Sequence, residues 1–182
     1  MTNEEIIEIF KESGALLDGH FQLRSGLHSN QFFQAALLLQ YPDKAEKVCR
    51  KLADDFAGLA VETVISPAVG GLIVGQEMAR AFGCRAIFAD KDEGKLVLKR
   101  GFSLRKGEKV FVAEDVITRG GRVQETIDLV RANGGEVVGV GVLVDRSCGL
   151  AQFDVPHQSL IKLELATYDP SECPLCTQGA PI

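Results

Sequence analysis

The sequence has no excess of basic residues, and this argues against a protein that binds nucleic acid. Its net charge of −5 leaves no basic stripe of the kind that follows a phosphate backbone. No apolar run approaches the roughly 18–20 residues that span a bilayer, so we expect no membrane segment. Residues 1–5 lack the basic start and apolar core of a signal peptide. We therefore expect a cytoplasmic protein in which any anion site is a local concentration of positive groups.

Both common nucleotide-binding motifs are also missing. There is no G-x-x-x-x-G-K-[ST] phosphate loop, and the glycines of residues 68–75 do not have the spacing of G-x-G-x-x-G. These two absences argue against the usual mononucleotide and dinucleotide sites.

Cysteine is present in an odd number, and the five residues are spread over the chain. This usage predicts reduced thiols rather than a disulfide framework. Cys173 and Cys176 have the spacing of half a zinc site or of a redox pair, but a structural zinc site needs four ligands. An ordered turn near the C-terminus is the alternative. The histidines are scattered: His28 is predicted in a turn, and His20 and His157 are predicted to be structural.

The chain alternates between helix and strand patterns along most of its length. Predicted helices cover 3–12, 42–57, 72–81 and 122–132, and predicted strands cover 21–24, 31–35, 61–66, 84–89, 110–113, 136–144 and 160–165. Such alternation implies right-handed crossovers and a mainly parallel sheet. With neither a repeat nor a linker in 182 residues, we predict a single α/β domain over residues 1–182.

The most informative stretch is residues 109–126. An apolar run, Val110–Ala113, is typical of a strand buried on both faces, and Glu114 and Asp115 follow it directly. A turn, Thr118–Gly121, then leads into a helix. In open α/β sheets ligands bind at the carboxyl ends of strands, with phosphate against a helix N-terminus. Paired carboxylates can accept hydrogen bonds from vicinal ribose hydroxyls, so the stretch favours a phosphorylated sugar over a plain structural turn.

Residues 110–121 resemble the phosphoribosyl-pyrophosphate (PRPP) signature of the type I phosphoribosyltransferases, which is a hydrophobic strand, two acids, two apolar residues, a threonine and a glycine turn. This signature does not select the base. Residues 21–34 resemble the N-terminal hood segment of orotate phosphoribosyltransferases, and residues 144–146 resemble the strand end that contacts orotate. The resemblance implies the type I fold, a mainly parallel central sheet flanked by helices, with a small hood at about 1–40 and a mobile basic lid at about 90–107.

The same resemblance implies transfer of 5-phosphoribosyl from PRPP to orotate, giving orotidine 5′-phosphate and pyrophosphate in pyrimidine synthesis. It implies Mg²⁺ held mainly by PRPP oxygens, no metal ligand set of the protein's own, and a homodimer. Lys91, Glu114 and Asp115 would be catalytic. The implied PRPP-binding residues are Lys91, Glu114, Asp115, Val116, Ile117, Thr118, Arg119, Gly120, Gly121 and Arg122. The implied orotate-binding residues are Arg24, Phe33, Thr118 and Arg146.

Two departures from the family pattern bear on the leaving group. Many orotate enzymes have a lysine in the pyrophosphate loop where this chain has Gly70, and their lid has a longer basic stretch than residues 91–95. A purine phosphoribosyltransferase is the alternative enzyme, and residues 21–34 and Arg146 disfavour it. A PRPP-sensing regulator that binds nucleic acid is the alternative from another class, and the lack of a basic stripe disfavours it.

Overall fold

The computed structural model describes residues 1–23 and 25–182. The helices are α1 (Asn3–Glu12), α2 (Ala35–Leu39), α3 (Pro42–Asp54), α4 (Leu72–Phe82), α5 (Gly121–Ala132) and α6 (Pro174–Thr177), with a 3-10 turn at Pro170–Glu172. The strands are β1 (Leu16–Gln22), β2 (His28–Phe33), β3 (Thr63–Pro67), β4 (Arg85–Asp92), β5 (Lys95–Leu98), β6 (Lys109–Ile117), β7 (Glu136–Asp145), β8 (His157–Lys162) and β9 (Thr167–Tyr168).

The central sheet has six strands in the order β5-β4-β3-β6-β7-β8. Every neighbouring pair is parallel except β4 and β5. The chain order reverses between β3 and β6, because β3 pairs with β4 on one side and with β6 on the other. In an open parallel sheet such a reversal leaves a crevice at the carboxyl ends of the two strands. The prediction of a mainly parallel sheet is confirmed.

Helices cover both faces of this sheet, with α3 and α4 on one face and α5 on the other. The side chains of β6 alternate accordingly. Phe111 and Ala113 belong to the apolar cluster beneath α3 and α4, while Val110 and Val112 belong to the cluster beneath α5. Burial on both faces is why every position in this run is apolar. Within the described residues, no helix combines the length and apolarity that a bilayer crossing requires.

The hood is a three-stranded antiparallel sheet in the order β1-β2-β9. The predicted hairpin is confirmed, but β1 starts at Leu16, earlier than the predicted 21–24, because Leu16 is buried opposite Phe33. Strand β9 comes from the C-terminal tail. A two-residue strand has no periodic pattern, so the sequence does not predict it. Arg24 lies outside the described residues.

Residues 90–107, predicted as a charged insertion, are partly strand. Strand β4 continues to Asp92 and forms an antiparallel hairpin with β5 at the sheet edge. The hairpin is attached to the core, since the Leu96 amide donates to Glu125 at 2.7 Å and Phe102 packs against the cluster beneath α5. Movement of this hairpin as a lid stays a prediction.

Glu108 organises the return from the hairpin to β6. Its carboxylate is buried and accepts hydrogen bonds from the Thr63 hydroxyl, the Arg85 guanidinium and the Arg105 amide. Burial alone would raise the pKa of Glu108, but these hydrogen bonds outweigh it and lower the pKa to about 2. The carboxylate is therefore ionised at neutral pH, and it holds β3, β4 and the start of β6 together.

Other boundaries differ modestly from the prediction. The helix predicted over 42–57 ends at Asp54, and the strand predicted over 160–165 is β8, which begins at His157. The sequence also misses α2, a five-residue helix whose apolar run has no clear period.

Candidate functional site

A cavity of ≈ 220 Å³ lies where the carboxyl end of β6 turns into α5. Its lining is continuous in sequence and comprises Glu114, Asp115, Val116, Ile117, Thr118, Arg119, Gly120, Gly121, Arg122 and Val123. Nine of the ten predicted PRPP-binding residues are in this set, and Lys91 is the exception. The stretch that the sequence predicts to bind PRPP therefore lies at the carboxyl end of a central strand, where ligands bind in open α/β sheets.

Both acids lie within β6, which runs on to Ile117 rather than ending at Ala113 as predicted. Glu114 is buried and Asp115 is half-buried. The Val116 amide donates to Asp115 Oδ1 at 2.8 Å, and this bond fixes the carboxylate beside the cavity. Burial first, and then the charge of Asp115, raise the pKa of Glu114 to about 9. Glu114 therefore carries a proton at neutral pH and can donate as well as accept a hydrogen bond.

The turn after β3 lies directly against the two acids. A β-carbon built on Gly70 would stand 2.8 Å from Oδ2 of Asp115, and one built on Gly71 would stand 3.0 Å from Oε1 of Glu114. The peptide bond between Ala68 and Val69 is cis. With the loop in this position, a side chain at residue 70 would require the Asp115 carboxylate to shift.

The turn into α5 has the properties of an anion site. Gly120 precedes the helix with φ of 76°, and a β-carbon there would stand 3.0 Å from both Ala151 and Phe153. Only glycine adopts this positive φ without strain and leaves room for Ala151 and Phe153. The first N–H groups of a helix have no partner inside it, and no described side chain caps α5. Thr118 and Arg122 are exposed beside these N–H groups, where they can add donors to a bound phosphate.

Arg146 sits at the end of β7, beside the end of β6. Its backbone N–H donates to the Ile117 carbonyl at 2.8 Å, which places it next to the cavity. Its side chain is half-buried, and this desolvation lowers the pKa of Arg146. The buried Nε has no hydrogen-bond partner among the described residues. A buried donor without a partner costs free energy unless a ligand satisfies it, so Arg146 is a candidate for anion binding.

Phe33, predicted to contact orotate, is a core residue of the hood. Its ring is 6% exposed and packs against Phe10 with 5.3 Å between centroids. The structure does not bring this side chain to the cavity, because strand alternation turns Phe33 inward. Phe32 has the opposite orientation: it is half-buried and lies 5.7 Å from Phe21. Of the predicted pair of rings, Phe32 is the accessible one.

Lys91 is exposed on β4, opposite Leu96 of β5. Two other cations of the hairpin are engaged, since Lys99 lies 3.0 Å from Asp92 and Arg100 lies 2.9 Å from Asp90. Within the part of the chain that the structure describes, Lys91 makes no ion pair within 4.0 Å. It is free to bind an anion.

Sequence reasoning missed a second group of residues. His20, His28, Cys173 and Cys176 come together at the hood, with one ligand atom from each within 4.8 Å of the others. His28 is a buried residue of β2 rather than a turn residue as predicted. The C-x-x-C spacing was the available signal, but its histidine partners are more than a hundred residues away in the chain, so spacing could not identify them.

Comparisons with known proteins agree with this geometry. Residues 38–164 match the family described as phosphoribosyl transferase domain. The orotate phosphoribosyltransferase of Desulforamulus reducens is 54% identical over 181 residues, covering 100% of this chain and 95% of that protein. That of Pelotomaculum thermopropionicum is 52% identical with the same coverage.

Among solved structures, the orotate phosphoribosyltransferase from Aeropyrum pernix superimposes with a TM-score of 0.71 at 27% identity, covering 87% of this chain and 94% of that one. The similarity to the curated relatives includes the hood and the tail, which lie outside the matched domain. The type I fold, the cavity at its PRPP signature and the identity over the full length agree, and the chain belongs to the orotate phosphoribosyltransferases of the phosphoribosyltransferase family.

Proposed function

We propose that the chain transfers 5-phosphoribosyl from PRPP to orotate, giving orotidine 5′-phosphate and pyrophosphate in pyrimidine synthesis. The observation that carries the proposal is one cavity that combines the acid pair Glu114–Asp115 with the uncapped start of α5. The named relatives at 52–54% identity support the same reaction.

PRPP would lie along the cavity from α5 to the loop after β3. The backbone N–H groups and side chains of 118–122 would bind the 5′-phosphate, since a helix N-terminus favours negative charge. Asp115 would accept hydrogen bonds from the ribose hydroxyls. Protonated Glu114 can share one of these hydroxyls without adding a second negative charge. The predicted contacts of Val116 and Ile117 are then backbone contacts along the same wall.

Orotate would bind beside Arg146. A guanidinium can pair with a carboxylate or with imide carbonyls in a bidentate manner, and the free Nε offers one such donor. Thr118 lies in the neighbouring cavity wall and can add a hydroxyl. Arg24 is a further predicted partner. Since Phe33 is committed to the hood core, we propose Phe32 as the aromatic ring that is available to the flat base.

The donors in the cavity fit Mg²⁺ that is bound mainly through the substrate. Glu114 is protonated in the free protein and is a poor ligand, so Asp115 is the carboxylate that would support Mg²⁺ held by PRPP oxygens and water. Bound Mg²⁺ supplies positive charge that neutralises the leaving pyrophosphate.

The chain's own side chains would catalyse the reaction by stabilising the charges that develop on the ribose and on the leaving pyrophosphate. Departure of pyrophosphate builds positive charge on the ribose, next to the Asp115 carboxylate. Lys91 would bring an unpaired ammonium to the pyrophosphate when the β4–β5 hairpin moves toward the cavity. We propose that this occurs in a cytoplasmic homodimer, as the family resemblance implies.

The test is loss of orotate absorbance that depends on PRPP and Mg²⁺, with product identified as orotidine 5′-phosphate. Adenine, guanine and hypoxanthine are run in parallel. Turnover with orotate, and with none of the three purine bases, supports the proposal. Turnover with a purine base, or none with any base by a folded protein that binds PRPP, contradicts it.

A further inference from the structure

Four side chains from two distant parts of the chain meet on one side of the hood. His20 lies in β1 and His28 in β2, while Cys173 and Cys176 flank the start of α6. The register between β1 and β2 shifts between Asp18 and Phe21, and His20 lies within this irregularity. A bulge changes the direction of the side chains within it, and here the His20 ring faces the His28 ring.

Four of the six distances between these groups are close to those of a tetrahedral metal site, and all four ligand atoms lie within 4.8 Å of one another. His20 Nε2 lies 2.9 Å from His28 Nδ1, 3.6 Å from Cys173 Sγ and 3.7 Å from Cys176 Sγ, and Cys176 Sγ lies 3.2 Å from His28 Nδ1. In a tetrahedral zinc site with two nitrogen and two sulfur ligands, the ligand atoms stand about 3.3–3.8 Å apart. Metal binding would require the two ring nitrogens to separate by about 0.4 Å.

Hydrogen bonding to His20 Nε2 does not account for all of the groups that surround this atom. His20 Nδ1 lies 2.8 Å from the Ala180 carbonyl, which can only accept, so Nδ1 carries the proton. In the neutral ring Nε2 then has a single lone pair. Three groups surround it within 3.7 Å, namely the His28 ring and the two thiols, and one lone pair can serve only one donor. A cation shared by all four groups satisfies every lone pair.

The bond from His20 to Ala180 is itself an arrangement found at metal sites. Histidine ligands usually donate their second ring N–H to a carbonyl or carboxylate, which fixes the ring orientation and the tautomer. The carbonyl here belongs to the same tail that contributes both cysteines, so ligand orientation and tail position depend on each other.

The tail has almost no apolar core of its own. All of residues 166–182 are described, and Cys173 is the single buried residue among them. Its regular elements are a two-residue strand, a three-residue 3-10 turn and a four-residue helix. Burial of apolar side chains therefore contributes little to holding the tail in place.

From the convergence of these four ligands, we propose that His20, His28, Cys173 and Cys176 bind one structural Zn²⁺ ion that fixes the C-terminal tail to the hood. Zinc is the metal that two thiolates and two imidazoles in a tetrahedral arrangement favour. Four protein ligands leave no open coordination position, so the ion stabilises structure and takes no part in the transfer reaction. Because His20 lies in β1 and His28 in β2, the ion would also join these two strands.

The first experiment measures metal content in the full-length protein, purified without an affinity tag and without chelators. Elemental analysis should find about one zinc per chain in the wild type. Cys176→Ser and His28→Gln should lose most of it. The matched controls Cys84→Ser and His157→Gln, which lie outside the cluster, should retain it. Replacement by Co²⁺ should give the visible bands of a tetrahedral ion and a thiolate charge-transfer band, both lost in Cys176→Ser.

The second experiment tests the structural role by limited proteolysis of the wild-type protein before and after zinc removal under reducing conditions. Cleavage within 166–182 should accelerate about tenfold or more on zinc removal and slow again when Zn²⁺ is restored. Because this comparison uses the unaltered chain, a folding defect in a variant does not affect it.

Three results would overturn the proposal. The first is wild-type protein that contains no zinc and binds none on titration. The second is a disulfide between Cys173 and Cys176 in the purified protein, and the third is zinc binding that leaves cleavage of the tail unchanged. Either of the first two results would show that the four residues do not bind zinc. The third would show that bound zinc does not stabilise the tail. None of them bears on transfer to orotate, which is tested separately.

Discussion

Gly70 and Asp115 meet across the crevice between β3 and β6. A β-carbon on Gly70 would stand 2.8 Å from Oδ2 and 3.1 Å from Oδ1 of Asp115. Oδ1 is already held by the Val116 amide at 2.8 Å. The position of the loop after β3 and the position of the carboxylate therefore depend on each other.

Gly70→Ala should consequently impair activity more than folding. The new methyl group forces Asp115 to rotate away from the Val116 amide, and misplacing a group that holds the substrate by several tenths of an ångström lowers turnover by about tenfold or more. The free energy of unfolding should change by about 1 kcal/mol or less, because the loop is partly exposed. Steady-state kinetics and urea unfolding measure the two effects.

A double-mutant cycle gives the control. In an Asp115→Ala background the carboxylate is absent, so adding Gly70→Ala should change the remaining turnover by less than about twofold. If Gly70→Ala lowers turnover as much in that background as in the wild type, the loss comes from a change in the loop backbone rather than from contact with Asp115.

Local motifs of this chain could be predicted from its sequence, whereas contacts between distant residues could not. The strand–acid–glycine–helix pattern of residues 110–122 is local, so the sequence alone predicts the cavity lining. The orotate contact predicted for Phe33 stays a prediction, but the burial of its ring could not be predicted: sequence alternation does not say which face of a short strand is buried, and the contact with Phe10 shows that Phe33 faces the hood core. The cluster of His20 with Cys173 could not be predicted, since a tail strand without periodicity brings them together.

Arg146→Gln should weaken orotate binding specifically. Loss of a charged hydrogen-bond pair costs about 1.5–3 kcal/mol, which corresponds to about 10- to 100-fold in kcat/KM for orotate. The KM for PRPP should change little. Thermal stability should not fall, because the substitution removes a buried donor that has no partner among the described residues.

Arg131→Gln is the matched control for this substitution. Arg131 lies at the other end of α5 and pairs with Asp154 at 2.9 Å on the surface. It should leave both KM values unchanged. Equal losses in the two variants would point to a general effect of removing positive charge rather than to an orotate contact by Arg146.

Glu108→Gln should destabilise the protein at neutral pH but not in acid. The pKa of Glu108 is lowered from 4.5 to about 2, so its contribution to stability is present above pH 4.5 and disappears as the pH falls toward 2. A shift of this size corresponds to about 3 kcal/mol at pH 7. Urea unfolding of both proteins at pH 7, 5, 4 and 3 should show the difference shrinking in acid. A difference independent of pH would assign the loss to packing.

Glu114→Gln should show the opposite pH dependence. The pKa of Glu114 is raised from 4.5 to about 9, so the folded protein retains a proton that the unfolded chain releases above pH 4.5. Wild-type stability is therefore penalised progressively as the pH rises toward 9, by at most about 1.4 kcal/mol per pH unit. The amide has no proton to lose, and its shape resembles that of the protonated acid, so the two proteins should be nearly equal at pH 5.

By pH 8 the Glu114→Gln variant should be the more stable protein by about 2–4 kcal/mol, as measured by urea unfolding without ligand. Because the amide, like the protonated acid, can donate and accept a hydrogen bond, the variant should keep the contact to a ribose hydroxyl. A stability difference that stays flat from pH 5 to pH 8 would instead mean that Glu114 is ionised in the free protein.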